Sequence, residues 1–163
     1  MAIGAFQNLA ETTRVVNMLQ PKNINGAAQT SSAVGLSNFN HASIVIPIGV
    51  HSSATTITVE ECTDATGAGP VAIPFDYYVS SATGSDVLGA RQSATSSGVA
   101  TDGATANINY VLEIPAVNLA EDHPYLRVKL SSPGANDVYA AVIGVLTTAR
   151  YSGQPANMPS ALV

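Results

Sequence analysis

Hydrophobic residues recur at every second position through much of the chain, the period of a strand with one face in a core and the other in solvent. In 43–50, Ile44, Ile46, Ile48 and Val50 share one parity. Pro47 in that run has no donor for a ladder, which predicts a sheet edge or a bulge there. In 55–62, Ile57 and Val59 turn inward, but the same register buries Glu61 and exposes Cys62, so a bulge near Glu60 is expected. After a turn over 63–70, Ile73, Phe75, Tyr77 and Val79 share a face, with Asp76 and Tyr78 opposite. Ile108, Tyr110, Leu112 and Ile114 repeat the pattern against Asn107, Asn109 and Glu113, and Pro115 closes the run. Leu126, Val128 and Leu130 alternate with Tyr125, Arg127 and Lys129, and the turn Ser131-Ser132-Pro133-Gly134 follows, which predicts a hairpin with 138–146. That last run is apolar on both parities, Val138, Val142 and Leu146 on one and Tyr139, Ile143 and Val145 on the other. Such a strand is covered on both sides, one cover being the opposite sheet and the other a loop, a terminal arm or a neighbouring subunit.

Turns rich in Gly, Ser, Asn and Pro separate these runs, and no long amphipathic helix interrupts them. The expectation is a mostly β fold, an antiparallel β-sandwich or jelly-roll-like barrel with extended N- and C-terminal arms. Its parts are an N-terminal arm over 1–14, the β domain over 15–151 and an extended tail over 152–163, the tail holding Pro155 and Pro159. Ile3, Phe6 and Leu9 can anchor the arm or a short helix. The stretch 84–106 is mainly Ser, Ala, Thr and Gly, with Val87, Leu88 and Val99 as its large apolar anchors, and reads as a long loop or a weak edge hairpin.

Charge changes the picture from a fold to a way of life. The 163 residues fit one domain, yet only 10% of them are charged, against roughly a quarter in an ordinary soluble domain. A surface so neutral resists association poorly, because neither charge repulsion nor desolvation opposes contact between subunits. Assembly with other protein subunits is therefore expected, with Phe6, Leu9, Tyr139, Ile143, Val145 and Tyr151 as interface candidates. The six cations, Arg14, Lys22, Arg91, Arg127, Lys129 and Arg150, form no basic stripe, which argues against direct nucleic-acid binding. No stretch reaches the ~20 apolar residues of a membrane helix. Residues 1–10 lack the basic start and apolar stretch of a secretory signal, so folding in a cytoplasm is the expectation. Cys62 is the one cysteine, which excludes an internal disulfide or a multi-cysteine zinc site and suits a small buried hydrophobe.

The candidate chemistry is sparse. His41, His51 and His123 lie in strand-end or turn contexts, with no Gly-x-Ser-x-Gly elbow and no His-Glu-x-x-His pair. Glu60/Glu61 and Glu121/Asp122 are adjacent carboxylates, but neighbours in a strand point apart; the first pair suits a bulge and the second a turn. Asp64, Asp86 and Asp102 offer loop oxygens for calcium without the spacing of a ligand motif. Gly67-Ala68-Gly69-Pro70 is a plain turn, too short to cradle phosphate. The six tyrosines suit core and interface positions, or an exposed sugar-binding groove. No catalytic residue, cofactor or metal is expected.

Several runs together carry a resemblance: Val59-Glu60-Glu61-Cys62-Thr63-Asp64-Ala65, Ile73-Pro74-Phe75-Asp76-Tyr77-Tyr78, Asp86-Val87-Leu88-Gly89-Ala90-Arg91, Tyr110-Val111-Leu112-Glu113-Ile114-Pro115, Leu126-Arg127-Val128-Lys129-Leu130, and the ending from Ala141 to Gly153. The pattern resembles small virion structural proteins of tailed double-stranded DNA bacteriophages, over most of the chain from about Val15 to Gly153. Head decoration or cement proteins are the nearest functional match within that group. The resemblance implies a chain made in the host cytoplasm and incorporated in the virion, forming a homo-oligomer such as a trimer, with the phage major capsid protein as partner. It brings no catalytic motif. A head-to-tail joining or tail component, and a sugar-binding attachment module, are the alternative roles.

Overall fold

The computed structural model describes residues 9–103, 107–149 and 162. A four-residue helix, α1 (Leu9–Thr12), precedes twelve strands: β1 (Arg14–Asn23), β2 (Gln29–Thr30), β3 (Val34–Gly35), β4 (Phe39–His51), β5 (Thr56–Cys62), β6 (Val71–Ile73), β7 (Phe75–Val79), β8 (Gln92–Ala94), β9 (Val99–Ala100), β10 (Ile108–Pro115), β11 (Tyr125–Leu130) and β12 (Val138–Ala149). Pro115 closes β10 as expected, and a single 3₁₀ turn follows over Ala116–Asn118.

The strands make two antiparallel sheets. The larger runs β1-β12-β4-β10-β7-β8 and the smaller β2-β11-β5-β6, with β3 also on β11 and β9 also on β5. The pairs β1·β12, β2/β3·β11, β4·β10 and β5·β6 nest one inside the next along the chain. Rolling that long nested hairpin over brings β12 onto β4 and β11 onto β5, which is the jelly-roll winding. Both sheets keep open edges, so the result is a sandwich and not a closed barrel.

Between the sheets lies the core that the period-two pattern marks. Ile44, Ile46 and Ile48 of β4, Leu112 and Ile114 of β10, Ile57 and Val59 of β5, and Leu126, Val128 and Leu130 of β11 are all buried. The side chain of Val50, assigned to the same face, lies outside the described residues. The run 73–79 is two strands: Ile73 of β6 pairs with Val59 in the smaller sheet, and Tyr77 of β7 pairs with Leu112 in the larger. The break falls at Pro74, and the chain bends round the sandwich with Ile73, Phe75 and Tyr77 still inward.

Two local expectations are overturned, and of the edge or bulge expected at Pro47 only an irregularity beside it is seen. β11 and β12 form no hairpin; the link after Leu130 carries the chain from one sheet to the other, because Leu126, Val128 and Leu130 need a facing layer more than a neighbour in their own sheet. No bulge occurs at Glu60, since the β5–β11 ladder runs unbroken from Cys62 opposite Tyr125 to Ile57 opposite Leu130. Glu61 goes inward instead, and its Oε2 accepts the Ala120 N–H at 2.8 Å. Pro47 is not on an edge: β4 is flanked by β12 and β10. The β4–β12 pairing skips from Ile48 to Val45 across that donorless residue, and a register shift follows towards His51.

Within the stretch 84–106, the described residues 84–103 form a weak edge element, with β8 on β7, β9 on β5, and a Thr95–Gly98 turn between them. Val99 packs on the core, whereas Val87 and Leu88 are exposed and anchor nothing.

Candidate functional site

β12 is held between β1 and β4, and its two apolar parities part company there. Val138, Val142 and Leu146 are fully buried in the sandwich, while Tyr139, Ile143 and Val145 face outward from the larger sheet. Strand pairing continues their rows across the sheet. One row reads Asn17, Ile143, Val45, Val111 and Tyr78 over β1, β12, β4, β10 and β7. The next reads Val15, Val145, Ser43, Glu113 and Asp76. Val15 is 54% and Tyr139 52% exposed, and Val45, Val111, Ile143, Val145 and Tyr78 are half-buried. The centre of this outer face is therefore β-branched and uncharged.

The charges on the face among the described residues lie to one side of it and are answered locally. Glu113 Oε2 meets His41 Nε2 at 2.5 Å and accepts the Ser43 hydroxyl at 2.7 Å. Asp76 accepts from Arg91 and, at 2.5 Å, from the Ser93 hydroxyl, and these bonds hold its carboxyl below the usual range.

The smaller sheet presents a different exterior. Thr56, Thr58 and Lys129 face outward, and Arg127 Nε donates to Glu60 Oε2 at 2.7 Å while its Nη1 donates to the Gly67 carbonyl at 3.0 Å. The 63–70 turn is tied down beside them by Asp64 Oδ1, which accepts from the Thr66 N–H, the Thr66 hydroxyl and the Ala68 N–H. These bonds depress the Asp64 carboxyl and use donors, not acceptors, as a calcium site would require. Among the described residues no group of three or more His, Cys, Asp or Glu is placed to hold a metal.

Among the described residues, neither His41 nor His123 is hydrogen-bonded to a hydroxyl. Ser43 and His41 both turn to the one Glu113 oxygen, so the imidazole does not touch the hydroxyl it would have to deprotonate. His123 Nδ1 meets Asp122 Oδ1 at 2.8 Å in the turn Ala120–His123, and that bond raises the imidazole and lowers the carboxyl. Glu121 and Asp122 occupy the centre of this turn, as expected. The His51 side chain lies outside the described residues.

Tyrosines are dispersed. Tyr77 and Tyr110 pack ring against ring at 6.5 Å, and only 8% and 4% of them is exposed, at the floor of a 360 Å³ cleft between the sheets. The Tyr77 hydroxyl donates to Gln92 Oε1 at 2.8 Å. Tyr125 lies against Gly35 on the other sheet. No exposed tyrosine platform for a sugar forms among the described residues.

Cys62 is fully buried, and burial pushes its thiol up. We expect no reaction with Ellman's reagent in native buffer and one equivalent in guanidinium chloride; rapid native labelling would contradict this packing.

Of the interface candidates, Tyr139, Ile143 and Val145 fall together on the outer face of the larger sheet. Leu9 is 62% exposed in α1, and Phe6 and Tyr151 lie outside the described residues. The sequence reading missed Val15, Val45, Val111 and Tyr78. A signal was present: 43–50 holds no charged residue on either parity, so its outward positions, Ser43, Val45, Pro47 and Gly49, were never suited to open water.

No protein-family model matches the sequence. No curated protein matches it either. Among solved structures the chain is similar to the SPBc2 prophage-derived protein YomS, at 10% identity and TM-score 0.48, over 83% of this chain and 93% of that one. It is also similar to VP2 of the infectious bursal disease virus subviral particle, at 11% identity and TM-score 0.26, over 92% of this chain and 44% of that one. The Gx strain structure of the same virus gives 9% identity and TM-score 0.21, over 82% and 40%. The jelly-roll assignment stands on the strand pairing itself. Fold and surface together define a jelly-roll domain with one solvated and one apolar outer face.

Proposed function

We propose that this chain is a non-enzymatic structural subunit of a bacteriophage virion, a decoration protein that binds the outer head surface and stabilises the shell. The observation that carries the reading is the uncharged, β-branched centre of the larger sheet's outer face, on a chain with 10% charged residues. Exposed apolar areas of this kind mark sites of protein contact. The resemblance of the 59–65, 73–78, 110–115 and 141–153 runs to small phage virion proteins supplies the setting. A cement subunit repeats one modest contact at every symmetry-related site, so many weak interfaces add up to resistance against the pressure of packaged DNA.

The test is to add purified protein to heads that lack it and follow capsid melting. Saturable binding with a cooperative upward shift in melting supports the role; no binding to mature heads overturns it. Copy number separates the neighbouring reading, since a decoration protein is present in hundreds of copies and a neck ring in roughly a dozen.

A further inference from the structure

We propose that Asn25 is a latent deamidation site, kept from cyclising by the hydrogen bonds that fold the 24–28 turn against the 131–137 loop. It is a property of the turn after β1 and stands apart from the assembly reading above.

Asn25-Gly26 is the one Asn-Gly step in the chain, and both residues are exposed. Such a step is chemically labile, because glycine places no side chain in the way of its own backbone nitrogen. The Gly26 nitrogen attacks the side-chain carbonyl carbon of Asn25 and closes a succinimide ring. The Gly26 amide proton passes to solvent, and Nδ2 takes up a proton and leaves as ammonia. Water then opens the ring at either carbonyl, giving aspartate or isoaspartate, so no oxidant or reductant is needed.

In the folded chain both reacting groups are engaged elsewhere. The Gly26 N–H donates to the Gly134 carbonyl at 2.6 Å, so the proton that has to leave is held in a hydrogen bond. Asn25 Nδ2 donates to Asp137 Oδ1 at 2.8 Å, which tethers the carboxamide to the facing loop. That tether is itself braced. Asn23 Nδ2 donates to the same Asp137 oxygen at 2.6 Å, and Asn23 Oδ1 accepts the N–H groups of Asn25 at 3.2 Å and Val138 at 3.1 Å. The Ile24 N–H on the Val138 carbonyl, at 2.8 Å, continues the seam. Cyclisation therefore waits on a local opening in which the Gly26 and Asn25 bonds break together. The Asp137 carboxylate adds a second obstacle, since a negative charge beside the turn opposes removal of the Gly26 proton.

Once formed, the product does not restore the seam. A carboxylate at position 25 has no donor for Asp137 and sets like charge against it. Isoaspartate also adds a methylene to the main chain and so shifts Gly26 against Gly134.

The test incubates the native full chain, the chain unfolded in guanidinium chloride, and native Asp137→Ala in mildly alkaline buffer. Isoelectric focusing follows the new acidic species, peptide mass spectrometry locates it, and Asn25→Ser is the control that lacks it. The unfolded chain should convert at Asn25 about tenfold or more faster than the native wild type. Asp137→Ala, with unchanged far-UV circular dichroism, should convert at a rate between the two. Should Asp137→Ala not fold, Asn23→Ala removes the brace while keeping the Asp137 charge, and it too should speed conversion. Native conversion as fast as in the unfolded chain overturns the proposal. So does conversion that is unchanged or slower in the folded variant, which would make Asp137 no guard of Asn25.

Discussion

Replacing Arg127 with Met is expected to cost about 3–5 kcal/mol of folding stability, because it leaves a buried carboxylate without its counter-charge. The Arg127 and Glu60 side chains are only 18% and 12% exposed. Nε donates to Glu60 Oε2 at 2.7 Å and Nη1 to the Gly67 carbonyl at 3.0 Å, so the guanidinium joins β11 to β5 and to the 63–70 turn. Methionine keeps much of the apolar stem and removes every donor, which isolates the electrostatic loss from the packing loss. For a domain of this length the change corresponds to roughly 10 °C in Tm. The double variant Glu60→Gln/Arg127→Met should recover a large part of that loss, since the stranded charge is gone. Urea unfolding of the two singles and the double measures the coupling directly. A loss under about 1 kcal/mol for Arg127→Met would mean the pair behaves as a solvated surface contact.

Gly98→Ala is expected to cost about 3 kcal/mol, from two causes that a control can separate. Gly98 sits at φ +81°, a conformation that costs an alanine about 1–2 kcal/mol. A Cβ there also lands 2.3 Å from the Ile57 carbonyl oxygen and 2.9 Å from Thr58 Oγ1, and the carbonyl belongs to the β5 backbone, which cannot swing aside. The close approach exists because the Thr95–Gly98 turn delivers β9 to β5, where Val99 pairs with Ile57 and packs on the core. Gly134→Ala is the control: its φ is +76°, with nothing within 4 Å of the added carbon, so it carries the conformational cost alone. Equal losses in the two variants, by urea unfolding, would show that the contact with β5 is not tight.

Much of the sandwich is legible in the sequence because burial on one face of a strand is a local property. Ile108, Tyr110, Leu112 and Ile114 alternate in sequence and are buried in the structure. So are Ile44, Ile46 and Ile48. The two-sided β12 is legible for the same reason, and with it half of the candidate face, Tyr139, Ile143 and Val145. The other half, Val15, Val45, Val111 and Tyr78, depends on which strands lie beside β12. β1 itself is obscured by two register shifts against β12, at Asn17/Leu19 and Leu19/Lys22, which break the period that would announce a strand.

Alternation along the chain thus determined a mostly β body, most of its inward residues, a strand apolar on both sides and an exterior poor in charge. Tertiary structure alone decided that β11 and β12 part into different sheets, that Pro47 sits inside a sheet, and that Glu61 turns inward to the Ala120 N–H. The physical reason is range. A side chain's parity is fixed by its immediate neighbours, whereas its partners across a ladder or a core come from residues up to 132 positions away, as Arg14 and Leu146 do.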